Sequence, residues 1–356
     1  MKEVKDFVEI SKYAGERFDL VQAAGGNSSV KLDNGEMLIK ASGFLLSDVK
    51  ENVGYSRVFT KRVADIVKNE KIIKLGDKRD RELVTAQFLK EATIDRQNRP
   101  SIETLLHSLL LKYTLHTHSI VVNMIVTQDN CKDILNTIFK EERIGFVTYE
   151  TPGIELGIAL NKELQKFEKI PNIIFLQNHG LIVTSENKDE IKIFTEHVLE
   201  KIEKHLNVNM SNYKLTNHIS HLFDNIEMNS DISYLSEDLF LNDQLQKNSK
   251  LFFNTPFCPD TFVYCGVTPV KIESLIDVNK LNEYKLKNHE LPKVIIYSNR
   301  LFFRGSSIKK AKEIEEVFKF HIMVLTQNKT KNLNFLEPEE LTYLSNWEAE
   351  NYRQKI

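Results

Sequence analysis

The segment TLHTHSIVVNMIV, residues 114–126, places two histidines at the start of a long apolar run. Such a run is typical of a strand buried in a core, and we predict a strand over this segment. Side chains at positions i and i+2 of a strand point to the same face, so His116 and His118 should project side by side. Two imidazoles at this spacing can bind one metal ion, or they can be polar residues at the solvent-exposed end of a strand.

A third histidine strengthens the metal interpretation. His179 follows the apolar run IIFLQ and lies in an Asn-His-Gly turn. Gly180 permits a positive φ, so we expect the turn to aim this histidine. Three histidines with an open fourth position are typical of a catalytic zinc site rather than a structural one.

A carboxylate precedes the histidine pair. The segment SIETLLHSLLLK after Pro100 predicts a helix with Ser101 as its N-cap. Glu103 and His107 are four residues apart and therefore share a face of this helix. Glu103 can be a fourth metal ligand, a general base, or a charge that complements the helix dipole. His107 is expected to pack behind the site.

Small and hydroxyl-bearing residues form three candidate anion sites. The loop AAGGNSSVK offers consecutive backbone N–H groups together with Asn27, Ser28 and Ser29. The turn at 41–43 adds another hydroxyl, and Ser101 lies at a predicted helix N-terminus. Glycine and serine also mark ordinary turns, so each feature alone is a weak indication. The chain contains neither a P-loop motif nor a dinucleotide-binding motif.

The composition is that of an ordinary globular protein. The 356 residues are 41% hydrophobic and 28% charged, with a formal net charge of −2. This charge gives no electrostatic reason to expect nucleic acid or a membrane surface as a partner. The N-terminal segment MKEVKDFVEISKY lacks an apolar signal region, and no apolar run is long enough to span a bilayer. We therefore expect a cytoplasmic protein.

Composition also suggests three parts. We predict a metal-dependent domain at 1–210, a polar connecting region at 211–250 and a C-terminal α/β region at 251–356. Two segments, starting at Pro171 and Pro292, share a strand, turn, strand, helix pattern. They are either a degenerate repeat or two units with similar apolar patterns.

The two segments align without a gap through Asn178 and Asn299, which sets His179 against Arg300. The second unit therefore cannot bind a metal in the same way, and we expect it to be a structural partner.

Several motifs together resemble the class II aldolase/adducin family over roughly residues 5–205. They are GGNSSVKL, MLIKASG, PSIETLLH, LHTHS and LQNHGLIV. Later segments resemble the aldolase half of bifunctional rhamnulose-1-phosphate aldolase/lactaldehyde dehydrogenase proteins: FCPDTFVYCG, RLFFRGSSIKKA and LSNWEAENYRQK. Those proteins continue into a short-chain dehydrogenase domain. This chain stops at Ile356, so we expect that second activity to be absent.

The resemblance implies a three-layer α/β/α fold with a largely antiparallel central sheet, extended by a C-terminal α/β region. It also implies a site for Zn²⁺, or another divalent metal, with Glu103 as the catalytic glutamate and His116, His118 and His179 as ligands. The positions that resemble the family's phosphate pocket are Asn27, Ser29, Ser42, Gly43 and Ser101.

Three positions depart from the family pattern or lack an assignment. Ile102 stands where fuculose-phosphate aldolases have a second serine. No tyrosine matches the proton donor of those aldolases, and Tyr113 and Tyr149 are only nearby candidates. Lys40 is an unassigned cation that can serve a phosphate or a carboxylate, or can be a solvated lysine at a strand end.

The resemblance implies reversible aldol cleavage of a phosphorylated ketose through a zinc-stabilised enediolate. The family's sites often lie at subunit contacts, so we expect a homo-oligomer that acts on a small sugar phosphate. A 4-epimerase or a dehydratase can use the same site. An adducin-like interaction module is an alternative of another class, and the presence of Glu103 and all three histidines disfavours it.

Overall fold

The computed structural model describes residues 2–95, 97–227, 231–276 and 278–345. The chain divides into two compact units, one ending at Met210 and the other beginning at Ser211. Residues 346–356, which include most of the motif LSNWEAENYRQK, lie outside the described residues. No helix in the described part of the chain is both long and apolar enough to span a membrane.

The first unit is built on a seven-stranded sheet with the order β3-β2-β1-β4-β7-β6-β5. The strands are β1 Asn27–Lys31, β2 Glu36–Lys40, β3 Tyr55–Phe59, β4 Tyr113–Thr117, β5 Ile144–Val147, β6 Ile173–Leu176 and β7 Gly180–Ser185. Neighbouring strands are antiparallel except for β5 and β6, which are parallel. The sheet is therefore mixed and largely antiparallel, as predicted.

Helices cover both faces of this sheet. They are α1 Lys2–Gly15, α2 Thr60–Val67, α3 Glu70–Ile73, α4 Lys78–Ala92, α5 Thr104–Ser108, α6 Ile120–Val126, α7 Cys131–Ile138, α8 Ile154–Leu164 and α9 Lys188–Leu206. Successive side chains of β7 point to opposite faces of the sheet and pack in different hydrophobic cores. Leu181 and Val183 pack with α1, α6 and α9, whereas Ile182 packs with α5 and α8. This alternation produces the predicted three-layer α/β/α arrangement.

A tight hairpin joins β1 and β2, as the Asp33-Asn34-Gly35 sequence predicts. Val30 pairs with Leu38 across the hairpin. Gly35 has a φ of 84°, a value that favours glycine, and the Asn34 side chain accepts a hydrogen bond from the Glu36 amide at 3.1 Å.

The prediction of one strand over residues 114–126 was wrong in its second half. The strand ends at Thr117, and α6 begins at Ile120. Short apolar runs do not distinguish a buried strand from a buried helix by periodicity. Here the buried residues Val121, Val122, Ile125 and Val126 follow helical spacing. His118 therefore lies in the link between strand and helix.

The second unit contains a four-stranded sheet with the order β8-β11-β10-β9. Its strands are β8 Ile232–Leu235, β9 Val270–Lys271, β10 Val294–Tyr297 and β11 Arg300–Gly305. Its helices are α10 Ser211–Asp224, α11 Leu239–Asn248, α12 Pro259–Cys265, α13 Asn279–Asn288, α14 Ile308–Gln327 and α15 Pro338–Ser345. Short 3₁₀ helices lie at Leu46–Asp48 in the first unit and at Ser249–Phe253 in the second.

The polar stretch 211–250 is not a connecting region. It forms α10, β8 and α11, which pack within the second unit. Among its many polar residues, a few apolar residues recur at helical spacing and are buried. They are Ile219 and Phe223 on α10 and Leu241 and Leu245 on α11.

The two similar segments both form an antiparallel hairpin followed by a helix, but their turns differ. Leu176 pairs with Gly180 across a three-residue turn, whereas Tyr297 pairs with Arg300 across two residues. Arg300 therefore corresponds to Gly180 in the strand pairing, and His179 is an extra residue with no counterpart. The expected alignment of His179 with Arg300 was wrong by one position. Whether the segments are a true repeat stays a prediction.

A buried arginine offers a test of the first unit. Arg17 is 1% exposed and donates to both carboxylate oxygens of Asp19, at 3.0 and 2.5 Å, and to Glu196 on α9. Arg17→Met should lower the free energy of unfolding by about 3–5 kcal/mol, because it leaves a buried carboxylate uncompensated. Urea denaturation measures this loss.

The matched control is Arg57→Met. The Arg57 side chain is 42% exposed in its ion pair with Glu36, so its removal should cost only about 0–1 kcal/mol. Equal losses in the two variants would contradict this account of the Arg17 cluster.

Candidate metal centre

Four side chains from three parts of the first unit converge at one end of β4. Glu103 precedes α5, His116 lies on β4, His118 follows the last residue of β4, and His179 lies in the β6–β7 turn. Their possible ligand atoms all lie within 4.8 Å of one another. The structure thus brings together the four residues that the sequence singles out.

The orientation of His116 is determined by the strand next to it. Its Nδ1 lies 3.0 Å from the backbone oxygen of Leu181 on β7. A carbonyl oxygen only accepts, so Nδ1 carries a proton and Nε2 is the ring nitrogen left to bind a metal. That Nε2 lies 3.2 Å from Glu103 Oε1 and faces the other histidines.

The β6–β7 turn has the positive φ predicted at Gly180, where φ is 158°, and a second positive φ at Asn178, where φ is 54°. Glycine is needed at 180 because a Cβ there would lie 2.2 Å from the Thr117 backbone oxygen. This close approach sets His179 Nε2 3.3 Å from Glu103 Oε1.

The His118 ring packs against the glycine-rich loop. A Cβ at Gly25 would lie 2.8 Å from His118 Nδ1, so the loop needs glycine there to make room for the ring. Burial lowers the pKa of His118 to about 4, which keeps the ring neutral at neutral pH. Its Nε2 is buried without a hydrogen bond to any residue that the structure describes. A neutral imidazole with a free nitrogen is the form that binds metal.

Glu103 remains ionised despite its burial. Burial alone would raise the pKa of its carboxyl group, but His116 and His179 beside it hold this pKa well below its usual range. The carboxylate in turn raises the pKa of His116, against the opposing effect of burial. An ionised carboxylate among three imidazoles can ligate a metal or transfer a proton.

Helix α5 is shorter than predicted. It begins at Thr104, and Ser101 is not its N-cap, although Ser101 Oγ accepts a hydrogen bond from the Glu103 amide at 3.3 Å. His107 is fully buried behind the site, as expected. Its Nδ1 lies 2.7 Å from Ser29 Oγ, and burial lowers its pKa to about 3. The Ser29 hydroxyl is therefore hydrogen-bonded to His107 inside the protein.

Lys40 is not a solvated lysine at a strand end. It is 2% exposed, and its Nζ donates to the backbone oxygens of Ala24 at 3.1 Å and Phe44 at 2.8 Å. Burial lowers its pKa. Two of its three donors thus tie the glycine-rich loop to the turn that follows β2.

The remaining phosphate-pocket candidates differ in exposure. Asn27 is buried, and within the described ranges its Nδ2 has no hydrogen-bond partner. Ser42 and Gly43 are exposed, and Ser101 is half-buried. The 41–43 turn lies beside the segment that holds Ser101, because the Ser42 amide donates to the Arg99 oxygen at 2.9 Å.

The two tyrosine candidates lie in different surroundings. Tyr113 is an odd number of residues from His116, so it faces the opposite side of the sheet, where its hydroxyl donates to Asp6 on α1 at 2.8 Å. Burial and Asp6 raise its pKa. This arrangement removes Tyr113 from the histidine cluster. Tyr149 is 54% exposed in the loop after β5.

A cleft of about 640 Å³ opens in front of His118 and His179. Its other lining residues are Gln22, Ile120, Asn123, Met124 and Asn178. Sequence reasoning missed the contribution of α6 because it assigned this segment to a strand.

The sequence of residues 5–205 matches the family described as the class II aldolase and adducin N-terminal domain. This match covers more than half of the chain, and the chain therefore belongs to the class II aldolase and adducin family. The predicted family is thus confirmed.

Three solved structures are similar to part of this chain. An N-terminal class II aldolase domain from Thermoplasma acidophilum is 22% identical, with 57% of this chain and 93% of that chain covered and a TM-score of 0.49. A sugar-phosphate aldolase from Thermotoga maritima is 14% identical, with 58% and 97% covered and a TM-score of 0.40. An L-fuculose-1-phosphate aldolase from Thermus thermophilus is 14% identical, with 58% and 94% covered and a TM-score of 0.38. No curated protein matches the chain.

The close approach at Gly180 can be tested directly. Gly180→Ala should push the Thr117 backbone away and displace His118 and His179. We expect a loss of about 1–3 kcal/mol in unfolding free energy and, if the cluster binds a divalent metal, roughly tenfold weaker binding of that metal, measured by competition with a chromogenic chelator. Gly76→Ala is the control, because nothing lies within 4 Å of a Cβ there. Unchanged metal affinity in Gly180→Ala would show that this backbone contact does not hold the histidines in place.

Proposed function

We propose that this chain is a class II, metal-dependent aldehyde-lyase that catalyses reversible aldol cleavage of a phosphorylated ketose. One observation carries the proposal: Glu103 and three histidines converge, with their ligand atoms within 4.8 Å, at a cleft. The fold alone hosts several functions, so the argument rests on this site. The closer kinship to the aldolase half of rhamnulose-1-phosphate aldolase/lactaldehyde dehydrogenase proteins is part of the proposal.

The donor atoms fit a divalent metal. His116 presents Nε2 because its Nδ1 proton is engaged by Leu181, and the buried His118 Nε2 has no partner within the described residues. A buried polar nitrogen without a partner is costly, and a metal ion satisfies it. Three imidazole nitrogens are the ligand set of many catalytic zinc sites, so Zn²⁺ is our first choice among divalent metals.

His116, His118 and His179 would hold the metal, which would supply a Lewis acid for the negative charge that develops in the reaction. The chain's own contribution to proton transfer is Glu103. Its carboxylate is ionised and largely buried, so in the synthesis direction it can take a proton from the carbon that becomes the enediolate carbon, before the C3–C4 bond forms. In the cleavage direction the C4 hydroxyl loses its proton as the C3–C4 bond breaks, and the Glu103 carboxyl group, now protonated, returns a proton to the enediolate carbon. A direct Glu103–metal bond is the alternative role for this residue.

The phosphate is proposed to bind at Asn27, at the Ser42-Gly43 turn and at Ser101. The unpartnered Asn27 Nδ2 and the neighbouring 41–43 and 99–101 segments support this assignment. We leave Ser29 out of this set, because its hydroxyl lies 2.7 Å from His107 Nδ1 inside the protein. Ile102, which is 41% exposed, adds no hydroxyl beside Ser101. A cytoplasmic location and assembly into homo-oligomers remain expectations.

The metal site predicts a clear difference in metal content. Protein purified without added metal should carry about one zinc ion per chain, and the His116→Ala/His118→Ala variant should carry none. Elemental analysis measures both. His197→Ala is the control, because that surface histidine pairs with Glu142 away from the cluster. A wild-type protein that stays metal-free after zinc addition would favour the adducin-like interaction module.

Glu103→Gln separates metal binding from proton transfer. The variant should keep its zinc and lose about 10²–10⁴-fold in turnover, because the amide cannot accept the proton. Aldehyde release from a panel of ketose phosphates measures the loss. Glu141→Gln, at an exposed position, should behave as wild type. Unchanged turnover in Glu103→Gln would remove this residue from the mechanism, and analysis of the products separates an aldolase from an epimerase or a dehydratase.

A further inference from the structure

One wall of the cleft is made of carboxamide side chains. Gln22, Asn123 and Asn178 line the cleft together with the apolar residues Ile120 and Met124. Apart from the two histidines, the described lining contains no ionisable side chain. We call Gln22, Asn123 and Asn178 the amide wall. A ligand group in contact with this wall meets hydrogen-bonding groups, and none of the three side chains carries a charge.

The local hydrogen bonds orient two of these amides. Gln22 Nε2 donates to the Phe18 backbone oxygen at 2.6 Å, and Asn123 Nδ2 donates to the Ser119 oxygen at 3.1 Å. Because a backbone oxygen only accepts, the NH₂ group of each amide must face it. The amide oxygens, Gln22 Oε1 and Asn123 Oδ1, therefore point elsewhere, and no residue in the described ranges donates to them.

The two amide oxygens accept hydrogen bonds from hydroxyl groups, and they repel phosphate or carboxylate oxygens, which have no hydrogen to donate. The apolar neighbours Ile120 and Met124 suit the carbon chain between hydroxyl groups. The proposed phosphate-binding residues Ser42, Gly43 and Ser101 are not part of this lining. The phosphate end of a substrate and its uncharged end would thus contact different sets of residues.

We propose that the amide wall binds the uncharged, hydroxyl-bearing part of the substrate, the part that leaves as an aldehyde, and that Gln22 and Asn123 determine specificity for it. This inference rests on the proposed aldolase function. It predicts that the aldehyde product carries hydroxyl groups and no second phosphate.

A neighbouring residue provides a matched control. Gln128 Nε2 donates to the backbone oxygen of Met124 at 2.7 Å. Asn123 and Gln22 make the same kind of bond, each to the backbone oxygen of the residue four positions earlier. Gln128 is exposed and does not line the cleft. Gln128→Leu therefore removes the same kind of amide without touching the wall.

The first experiment measures aldol synthesis from dihydroxyacetone phosphate and three aldehydes. Glyceraldehyde and propanal have the same chain length and differ only in hydroxyl groups, whereas glyceraldehyde 3-phosphate adds charge. Wild type should prefer glyceraldehyde to both others in kcat/KM. Asn123→Leu and Gln22→Leu should each reduce the preference over propanal about three- to tenfold, with zinc content unchanged. Gln128→Leu should retain the full preference.

A second experiment does not depend on catalysis. Saturation-transfer NMR should detect glycerol, but not 1-propanol, on wild type and on Gln128→Leu, and should lose the glycerol signal on the Asn123→Leu/Gln22→Leu double variant. If no aldehyde reacts but glycerol binding follows this pattern, the aldolase proposal fails and the wall assignment stands. If aldol product forms with the same aldehyde preference in every variant, the wall assignment is wrong. Preference for glyceraldehyde 3-phosphate would also overturn it.

Discussion

The candidate site depends on the pairing of β4 with β7. Thr117 pairs with Leu181 and His116 with Ile182, so the end of one strand lies beside the start of the other. This register brings His116 and His118 to the turn that holds His179. It also leaves no room for a side chain at Gly180, since a Cβ there would collide with the Thr117 oxygen. A one-residue slip would turn His116 to the other face of the sheet and dismantle the cluster.

The surroundings of the cluster are polar, and part of their hydrogen-bonding capacity is satisfied inside the protein. His107 lies against Ser29, and Lys40 donates to two loop carbonyls. Burying these groups costs free energy, which their hydrogen bonds partly offset. Other buried atoms beside the cluster have no partner within the described structure, among them His118 Nε2, Asn27 Nδ2, His107 Nε2 and Thr117 Oγ1. Unsatisfied buried atoms of this kind are expected where a ligand completes the bonding.

The sequence predicted those features of the fold and the site that depend on residues close together in the chain. The two-residue spacing of His116 and His118, the Asn34-Gly35 turn and the family motifs led to the cluster and to the three-layer fold. The same parity rule would have excluded Tyr113, an odd number of residues from His116. It could not show that Ser29 points at His107, because that contact joins residues 78 positions apart. The cleft wall was missed because an apolar run rich in valine and isoleucine fits a strand and a buried helix equally.

That ambiguity matters for function, because the change from strand to helix after Thr117 creates the cleft wall. A continuing strand would extend the sheet past the histidines and alternate its side chains between the two faces. The helix instead turns Ile120, Asn123 and Met124 toward the same cleft as His118. One segment thus supplies metal-ligand candidates at its start and substrate-contact candidates a few residues later. The link at 118–119 therefore couples the position of a metal-ligand candidate to the shape of the cleft, so a change in α6 packing should affect both.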